Sequence, residues 1–518
     1  MSTSTRVIKN TGYLYVKMGI TMFVSLYSTR LILASLGESD FGVFNVVGGA
    51  IAMLGFLNST MANATQRFMS YAEGEGHLEK KRSIFNVSIV LHFGIAIATA
   101  VLLLAAMYPF FHGIFNIAQD RVLAAEVVYL SLVFSTMLTI INVPYDAVMN
   151  AHENMLYYSI VGIFESLLKL GVAFICVYTT QDKLIVYGIL MVCIPLITLS
   201  IMKVYCHKHY EECVIAPRRY WDNSLVEQIS RFFGWNFLTA ISSLFSAQGI
   251  GIVLNHFFGS VLNAAQGIAH QVNGALSQFS GNMIKALNPV IVKSAGARNV
   301  DAMNKASLIG CKFSALLTMF FAVPLSLEIR YVLNLWLREV PEWAALFCVM
   351  QLTMSIITQM ANSAATAIYA QGDIKEYAIW KSVMNALPVI LVWMAFRIGC
   401  GPEWLYIPMI VVWAIGGDVV IVYYAKKKCG LPVSLYFSNV ILPLIGSVIL
   451  MLLCGIIPVA LMPESFGRLI ITCVSTTLGL FVAAMLFAMT KVEKTMMREM
   501  VSKVHNRRQS GRGCPMDP

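Results

Sequence analysis

The sequence predicts an all-α integral membrane protein of about fourteen transmembrane helices. Three observations lead there. Hydrophobic residues make up 58% of the chain and charged residues only 12%, with mean hydropathy +0.71, whereas a soluble domain carries roughly 25% charged residues. The apolar residues gather into long continuous runs, and a helix needs about 20 of them to cross a bilayer. Lys and Arg alternate between connecting segments, as the positive-inside rule requires of a multi-pass protein. A β-barrel is excluded, because barrel strands are about ten residues long and alternate in polarity.

In chain order the apolar stretches are 11–34, 41–68, 84–111, 123–149, 157–178, 184–203, 231–256, 261–290, 306–327, 342–368, 376–396, 404–425, 436–459 and 466–490. With the N-terminus in the cytoplasm, cytoplasmic segments hold 23 of the 37 Lys and Arg residues, and the opposite side holds 6. The inner set includes Lys80, Lys81, Arg82, Lys203, Lys208, Arg218, Arg219, Lys426, Lys427 and Lys428; the outer set is Arg121, Lys183, Arg330, Arg338, Arg397 and Arg468. Both termini are therefore expected in the cytoplasm. The net charge of +10 follows from this bias and does not call for nucleic acid. The basic tail 491–518 suits contact with anionic lipid. The polar opening leads straight into a full-length span, so no cleavable signal is expected.

Eleven cysteines are scattered without a CxxC pair, which argues against a disulfide framework. Cys206, His207, Lys208, His209 and Cys213 lack a clean ligand spacing, so no metal is expected. No cofactor is expected either.

The two halves of the chain match at an offset of 222 residues. Lys9 aligns with Arg231, Gly12 with Gly234, Tyr13 with Trp235, Tyr15 with Phe237, Gly37 with Gly259, Met61 with Met283 and Gly74 with Gly296. A second echo, at offset 219, sets Ala151 against Ala370 and Tyr158 against Tyr377. Glycine suits the turns after the first and second spans of each half. Each repeat holds six spans, an even number, so both begin on the same side and the repeats are parallel. The expected divisions are a six-helix bundle at 1–205, a linker at 206–230, a second bundle at 231–428, two extra helices at 429–490 and the tail. Pro144, Pro195, Pro289, Pro324, Pro388 and Pro408 lie in or at the ends of spans, where each frees a carbonyl and bends its helix.

Eight basic residues fall at membrane depth: Lys17, Arg30, Arg67, Lys169, Arg231, Lys285, Lys312 and Lys381. A cation there costs about 2.5–3.5 kcal/mol even on the mildest scale. Only Asp146, Glu165 and Asp418 face them as acids. Glu165 and Lys169 sit four apart on one helix face and are placed to pair. Arg231 and Lys312 are near span ends and are expected to snorkel. That leaves Lys17, Arg30, Arg67, Lys285 and Lys381 as candidate anion ligands. Span 261–290 carries His270, Gln271, Asn273, Ser277, Ser280 and Asn282, and span 41–68 carries Asn58, Asn63 and Gln66. Such polarity belongs on a cavity wall. Lys and Arg suit phosphate, and Asn63, Gln66 and Gln271 suit sugar hydroxyls; His270 is a further candidate for the substrate site and a candidate ion-linked group. Tyr13, Tyr15 and Trp235 are candidates for stacking on sugar rings.

The opening Lys9-Asn10-Thr11-Gly12-Tyr13-Leu14-Tyr15, the turn Leu36-Gly37-Glu38-Ser39-Asp40-Phe41-Gly42 and the segment Asn150-Ala151-His152-Glu153-Asn154 resemble the polysaccharide flippases of the multidrug/oligosaccharidyl-lipid/polysaccharide exporter superfamily. The resemblance runs over nearly the whole chain and includes the six-plus-six-plus-two plan. It implies a V-shaped pair of bundles in a bacterial inner membrane. The implied activity is export of an anionic, polyprenyl-pyrophosphate-linked oligosaccharide from the cytoplasmic to the outer leaflet. It also implies kinship with lipid II flippases, whose extra spans groove the lipid tail, and with MATE exporters. On this view the chain is no enzyme and works as a monomer among membrane lipids and glycan-assembly proteins. Short outer loops speak against a polymerase or ligase. A MATE-like cation exporter is the alternative. Sodium, protons or the membrane potential would drive the cycle, with Glu165 and Asp146 as ion-coupling candidates.

Overall fold

The computed structural model describes residues 3–52, 55–114, 117–337, 339–490 and 494. The described residues are helical throughout their ordered elements. The expected tail at 491–518 lies outside them except for Lys494.

The first half runs through α1 (Thr3–Ala52), α2 (Gly55–Glu75), α3 (Leu78–Pro109), α4 (Val122–Ala151), α5 (Met155–Tyr178) and α6 (Lys183–His209). A short α7 (Pro217–Tyr220) leads into the second half: α8 (Asn223–Phe258), α9 (Ser260–Gly296), α10 (Val300–Leu327), α11 (Ile329–Trp336), α12 (Ala344–Gln371) and α13 (Lys375–Arg397). Next come α14 (Tyr406–Pro408), a π-helical stretch over Met409–Gly416, and α15 (Gly417–Cys429). The chain ends in α16 (Val433–Tyr436), α17 (Leu442–Leu461) and α18 (Phe466–Ala483).

Twelve of these helical segments are long and apolar enough to cross a membrane. They coincide with twelve of the fourteen expected spans. The other two, 41–68 and 261–290, are helical where described but carry the polar residues assigned above to a cavity wall. Polarity, not loss of helix, separates them from the rest.

Local chemistry sets the ends. Asn154 caps α5 by accepting from the Tyr157 amide at 3.3 Å, and Ser465 caps α18 by accepting from Arg468 at 3.1 Å. Asp182 caps α6 through the amides of Leu184 and Ile185 at 3.0 and 3.2 Å. Such side chains satisfy amides that have no partner within the helix. Lys426, Lys427 and Lys428 occupy the last turn of α15 before the left-handed Gly430, where cations oppose the helix dipole. Pro408 is followed at once by the π-helical stretch; its missing N–H loosens the regular ladder there.

The repeat is written in the backbone. Gly37 and Gly259, 222 apart, have φ of +79° and +78°. Gly76 and Arg298, also 222 apart, have +75° and +57°. Glu153 and Gly372, 219 apart, have +55° and +85°. Three pairs of left-handed residues thus fall on the two offsets found by residue matching.

The chain forms two compact units. The first takes residues 1–245, 282–307 and 365–385, and the second takes 246–281, 308–364 and 386–518. These divisions run across the repeat boundaries, since α8, α9, α10, α12 and α13 each pass from one unit to the other. The first unit is cored by Val47, Ala125, Val128, Tyr129 and Leu184 and by Ile32, Ala173, Tyr187 and Ile194. The buried Tyr129 hydroxyl donates to the Leu103 carbonyl at 2.7 Å, as a polar atom in an apolar core must. In the second unit Ile250, Leu254, Phe347, Val392, Phe396 and Tyr406 form the core. There Gly479 on α18 lets α17 approach: a Cβ would lie 3.1 Å from Cys454 Sγ. Small residues at such crossings are how membrane helices pack.

Candidate functional site

Within the first unit, α1, α4, α5 and α9 bring charge together around one tyrosine. Leu14, Met155, Ala286 and Tyr158 pack as a small apolar cluster and fix the ring. Lys17 Nζ lies 4.1 Å from the Tyr158 ring centroid and Lys285 Nζ 4.0 Å. Lys285 also donates to the Tyr158 hydroxyl at 2.6 Å. Gly162, one turn on along α5, makes room for Lys17: a Cβ there would lie 2.5 Å from Lys17 Nζ and closer still to its Cε. Asp146 on α4 is an electrostatic neighbour of both lysines and accepts from Asn142 at 3.2 Å. Asn282, one turn before Lys285, reaches the Met18 sulfur at 3.1 Å.

Lys17 lies against the π-system of the ring, which attracts cations, while Lys285 is held mainly by the hydroxyl oxygen. The ring attracts cations without neutralising them. The pair remains able to bind an anion, with one carboxylate alongside as counter-charge.

The other predicted residues divide. Glu165 pairs with Lys169 at 2.7 Å, so that acid has its own cation. Arg67 is engaged elsewhere: Nη2 donates to the Ala370 carbonyl at 2.7 Å and Nε to Tyr369 at 3.2 Å, capping the end of α12. Phe68, Tyr71 and Phe232 pack against its guanidinium at 4.4, 4.9 and 5.7 Å. Arg30 and Asn63 are exposed, and Gln66 is half-buried. Lys381 is half-buried in the first unit; His270 and Gln271 are exposed and belong to the second. Arg231 is 70% exposed and bonds Glu227, as a snorkelling cation does. Lys312 does not snorkel: it is only 2% exposed, buried within the second unit.

Sequence reasoning missed Tyr158 as a site residue and Gly162 altogether. The signal for Tyr158 was its repeat match to Tyr377. Lys17 and Tyr158 lie on different helices, and only folding puts them together.

A second polar cluster lies at the end of the first unit that carries the basic connecting segments. His152 Nε2 meets Glu212 at 2.5 Å and Nδ1 meets Glu73 at 3.4 Å, and the ring stacks on Tyr210 at 4.3 Å between centroids. Lys81 bonds Glu73 at 2.8 Å and lies 4.0 Å from Glu212. Lys293 on α9 reaches Glu153 at 3.2 Å and Glu73 at 3.8 Å, and Arg6 meets Glu153 at 2.7 Å. Burial pushes the Glu212 carboxyl up, but the hydrogen bond and charge of His152, with Lys81, more than offset it and hold it below the usual carboxylate range. Glu73, His152 and Glu212 bring one ligand atom each within 4.8 Å of one another, yet the ammonium of Lys81 already serves two of them. The chemistry is that of an ion-pair network. The sequence cluster Cys206 to Cys213 contributes no such set: Cys206 and Cys213 are buried, and His207 approaches the Tyr145 hydroxyl at 3.3 Å.

No family model matches the sequence, and no curated protein does. Solved structures do. A point mutant of a MATE protein superposes with TM-score 0.70 at 13% identity, covering 83% of this chain and 99% of that one. An outward-facing multidrug resistance MATE family transporter of the MOP superfamily gives 0.68 at 14%, with the same coverages. A MOP superfamily transporter from Pyrococcus furiosus, described as having a binding pocket of reverse polarity that suggests a different function, gives 0.67 at 13%, again over 83% and 99%. At these identities the likeness is one of fold. The chain has the fold of these MATE and MOP-superfamily transporters.

Proposed function

We propose that the chain is an alternating-access transporter that moves a polyprenyl-pyrophosphate-linked oligosaccharide across the bacterial inner membrane, from the basic, cytoplasmic side outward, for surface polysaccharide synthesis. The observation that carries this is the convergence of Lys17 and Lys285 on Tyr158. A pyrophosphate between two ammonium groups gains charge-assisted hydrogen bonds that a sugar or an apolar tail does not. That one related fold is described as having reversed pocket polarity and a different function supports reading function from the sign of the charge. Asp146 balances the lysines when no cargo is bound and is the candidate for coupling to protons or sodium. The acid at 165, paired with Lys169, is the lesser candidate.

Hydrogen bonds to charged groups contribute about 1.5–3 kcal/mol each, so removing both lysines costs roughly a hundredfold or more in affinity for the head group. The test is K17A/K285A in a cell that makes the glycan. Surface polysaccharide should collapse and the lipid-linked precursor should accumulate, with the protein present at normal level. Normal surface glycan from that variant would refute the assignment.

A second reading, a MATE-like exporter of cationic drugs, is favoured by Asp146 and by the named function of one structural neighbour. Two lysines against one carboxylate oppose it. Efflux of cationic dyes that depends on Asp146 in a pump-deficient strain would establish it instead.

A further inference from the structure

At the end of the first unit that carries the basic segments, α2 and α9 cross with their backbones touching. A Cβ on Gly74 would lie 2.8 Å from the Lys293 carbonyl carbon and closer still to its oxygen. A Cβ on Gly296 would lie 3.0 Å from the Tyr71 carbonyl carbon and closer still to its oxygen. Neither position admits any side chain without moving a backbone. Gly296 follows Gly74 by 222 residues, and Lys293 follows Tyr71 by 222. The two contacts are therefore one contact made twice, and the crossing is a pseudo-twofold meeting of equivalent helices from the two repeats. Each glycine presents a Cα–H to the opposing carbonyl, a weak contact of the kind found where membrane helices touch.

Polar groups stand beside the crossing, next to the buried Ala72 and Ala295. Lys293, on α9, is 22% exposed and bonds Glu153 and Glu73, which belong to the first repeat. Behind them stand Arg6, Lys81, His152 and Glu212. An apolar crossing with interlocked side chains would have to expose hydrocarbon on parting. This one exposes carbonyls, carboxylates and ammonium groups, which water satisfies, and little hydrocarbon beyond small side chains such as Ala72 and Ala295.

We infer that the Gly74–Gly296 crossing is a releasable seal, closed here, that parts when the carrier opens toward the basic side. The Lys293–Glu153 pair is its latch. The inference rests on the transport reading only in that the chain must alternate between states; it does not depend on the cargo.

The test uses the full chain in nanodiscs, with spin labels on unnatural amino acids at His77 and Asn299. Both are exposed residues in the segments just beyond α2 and α9, and the native cysteines stay in place. Pulsed electron resonance then reads one distance across the seal. Wild type should show a dominant short distance. K293M and E153Q should each raise the population of a second distance longer by about 10 Å, one helix diameter, at least twofold. G74A and G296A should do the same. An unchanged distribution in every folded variant would overturn the inference. So would glycine variants that fail to fold alongside latch variants that keep the wild-type distribution, because the crossing would then be permanent packing. No cargo enters the measurement, so a wrong cargo cannot produce either result.

Discussion

Glu328 and Arg468 form a two-pronged ion pair buried at both ends. Arg468 Nη2 meets Oε2 at 2.8 Å and Nε meets Oε1 at 3.0 Å, while the Thr472 hydroxyl donates to the same carboxylate at 2.9 Å. Glu328 is fully buried and Arg468 is 7% exposed. Within the second unit this pair ties α18 to the turn between α10 and α11. Removing Glu328 leaves Arg468 with only the half-exposed Glu464 at 3.7 Å as counter-charge, and breaking a buried pair in this way costs about 3–5 kcal/mol. Glu328→Gln should lower stability by an amount in that range in calorimetric unfolding. Replacing both residues by apolar ones of similar volume should cost far less. Equal losses would mean that the pair itself, rather than the stranded charge, carries the energy.

Arg67 is predicted to be a stability residue. Its guanidinium satisfies two carbonyls at the end of α12, and Lys cannot reproduce that fork. Arg67→Lys should destabilise by about 1.5–3 kcal/mol in thermal unfolding, with transport per folded molecule near normal. A transport defect in fully stable Arg67→Lys would return Arg67 to the site.

Tyr158 offers a ring and a hydroxyl, and two substitutions separate them. Tyr158→Phe keeps the ring beside Lys17 and removes only the hydroxyl that accepts from Lys285; Tyr158→Leu removes both. Cation–π contacts contribute about 0.5–2 kcal/mol each, so Leu should impair export well beyond Phe. Flux measured at matched protein level decides it. Gly162→Val should resemble Tyr158→Leu, because it displaces the Lys17 side chain.

At the opposite end, Arg121 bonds Asp182 at 2.6 Å and both carboxylate oxygens of Asp40. The hydrogen bond from Arg121 holds the Asp182 carboxyl below the usual range, against the upward push of partial burial and with help from the α6 amides. A depressed native value means that the stabilisation is present above the unfolded value of about 3.9 and is lost as pH falls through the native one. Unfolding midpoints followed from neutral pH down through that window should therefore drop more steeply for wild type than for Asp182→Asn. Parallel curves would show that Asp182 contributes nothing to acid sensitivity.

Much of the architecture was legible in the chain because membranes enforce simple rules. Span length and the 222-residue register needed no contact information. The site was legible only in part. Lys17 and Lys285 stood out because cations at membrane depth are costly, but so did Arg67, which caps a helix, and Lys312, which is buried in the second unit. A cation marks a place that needs a partner without saying which partner. Carbonyls at the end of a distant helix, an aromatic face or a ligand all meet that need, and only the fold separates them. Arg468 shows the converse: expected in an outer segment, it lies in the first turn of α18, buried against Glu328.

The matched left-handed residues have a consequence beyond register. Arg298 and Glu153 hold a backbone conformation that their sisters Gly76 and Gly372 adopt freely, at a penalty of about 1–2 kcal/mol for a residue with a Cβ. Torsion angles in this chain keep the repeat where side chains do not: the matched turns share one conformation although only one copy carries glycine. Glu153 is the clearer case, because the carboxylate that its turn tolerates is the one that Lys293 and Arg6 grip. Two matched turns thus share one backbone shape, and one of them carries a charge to hold.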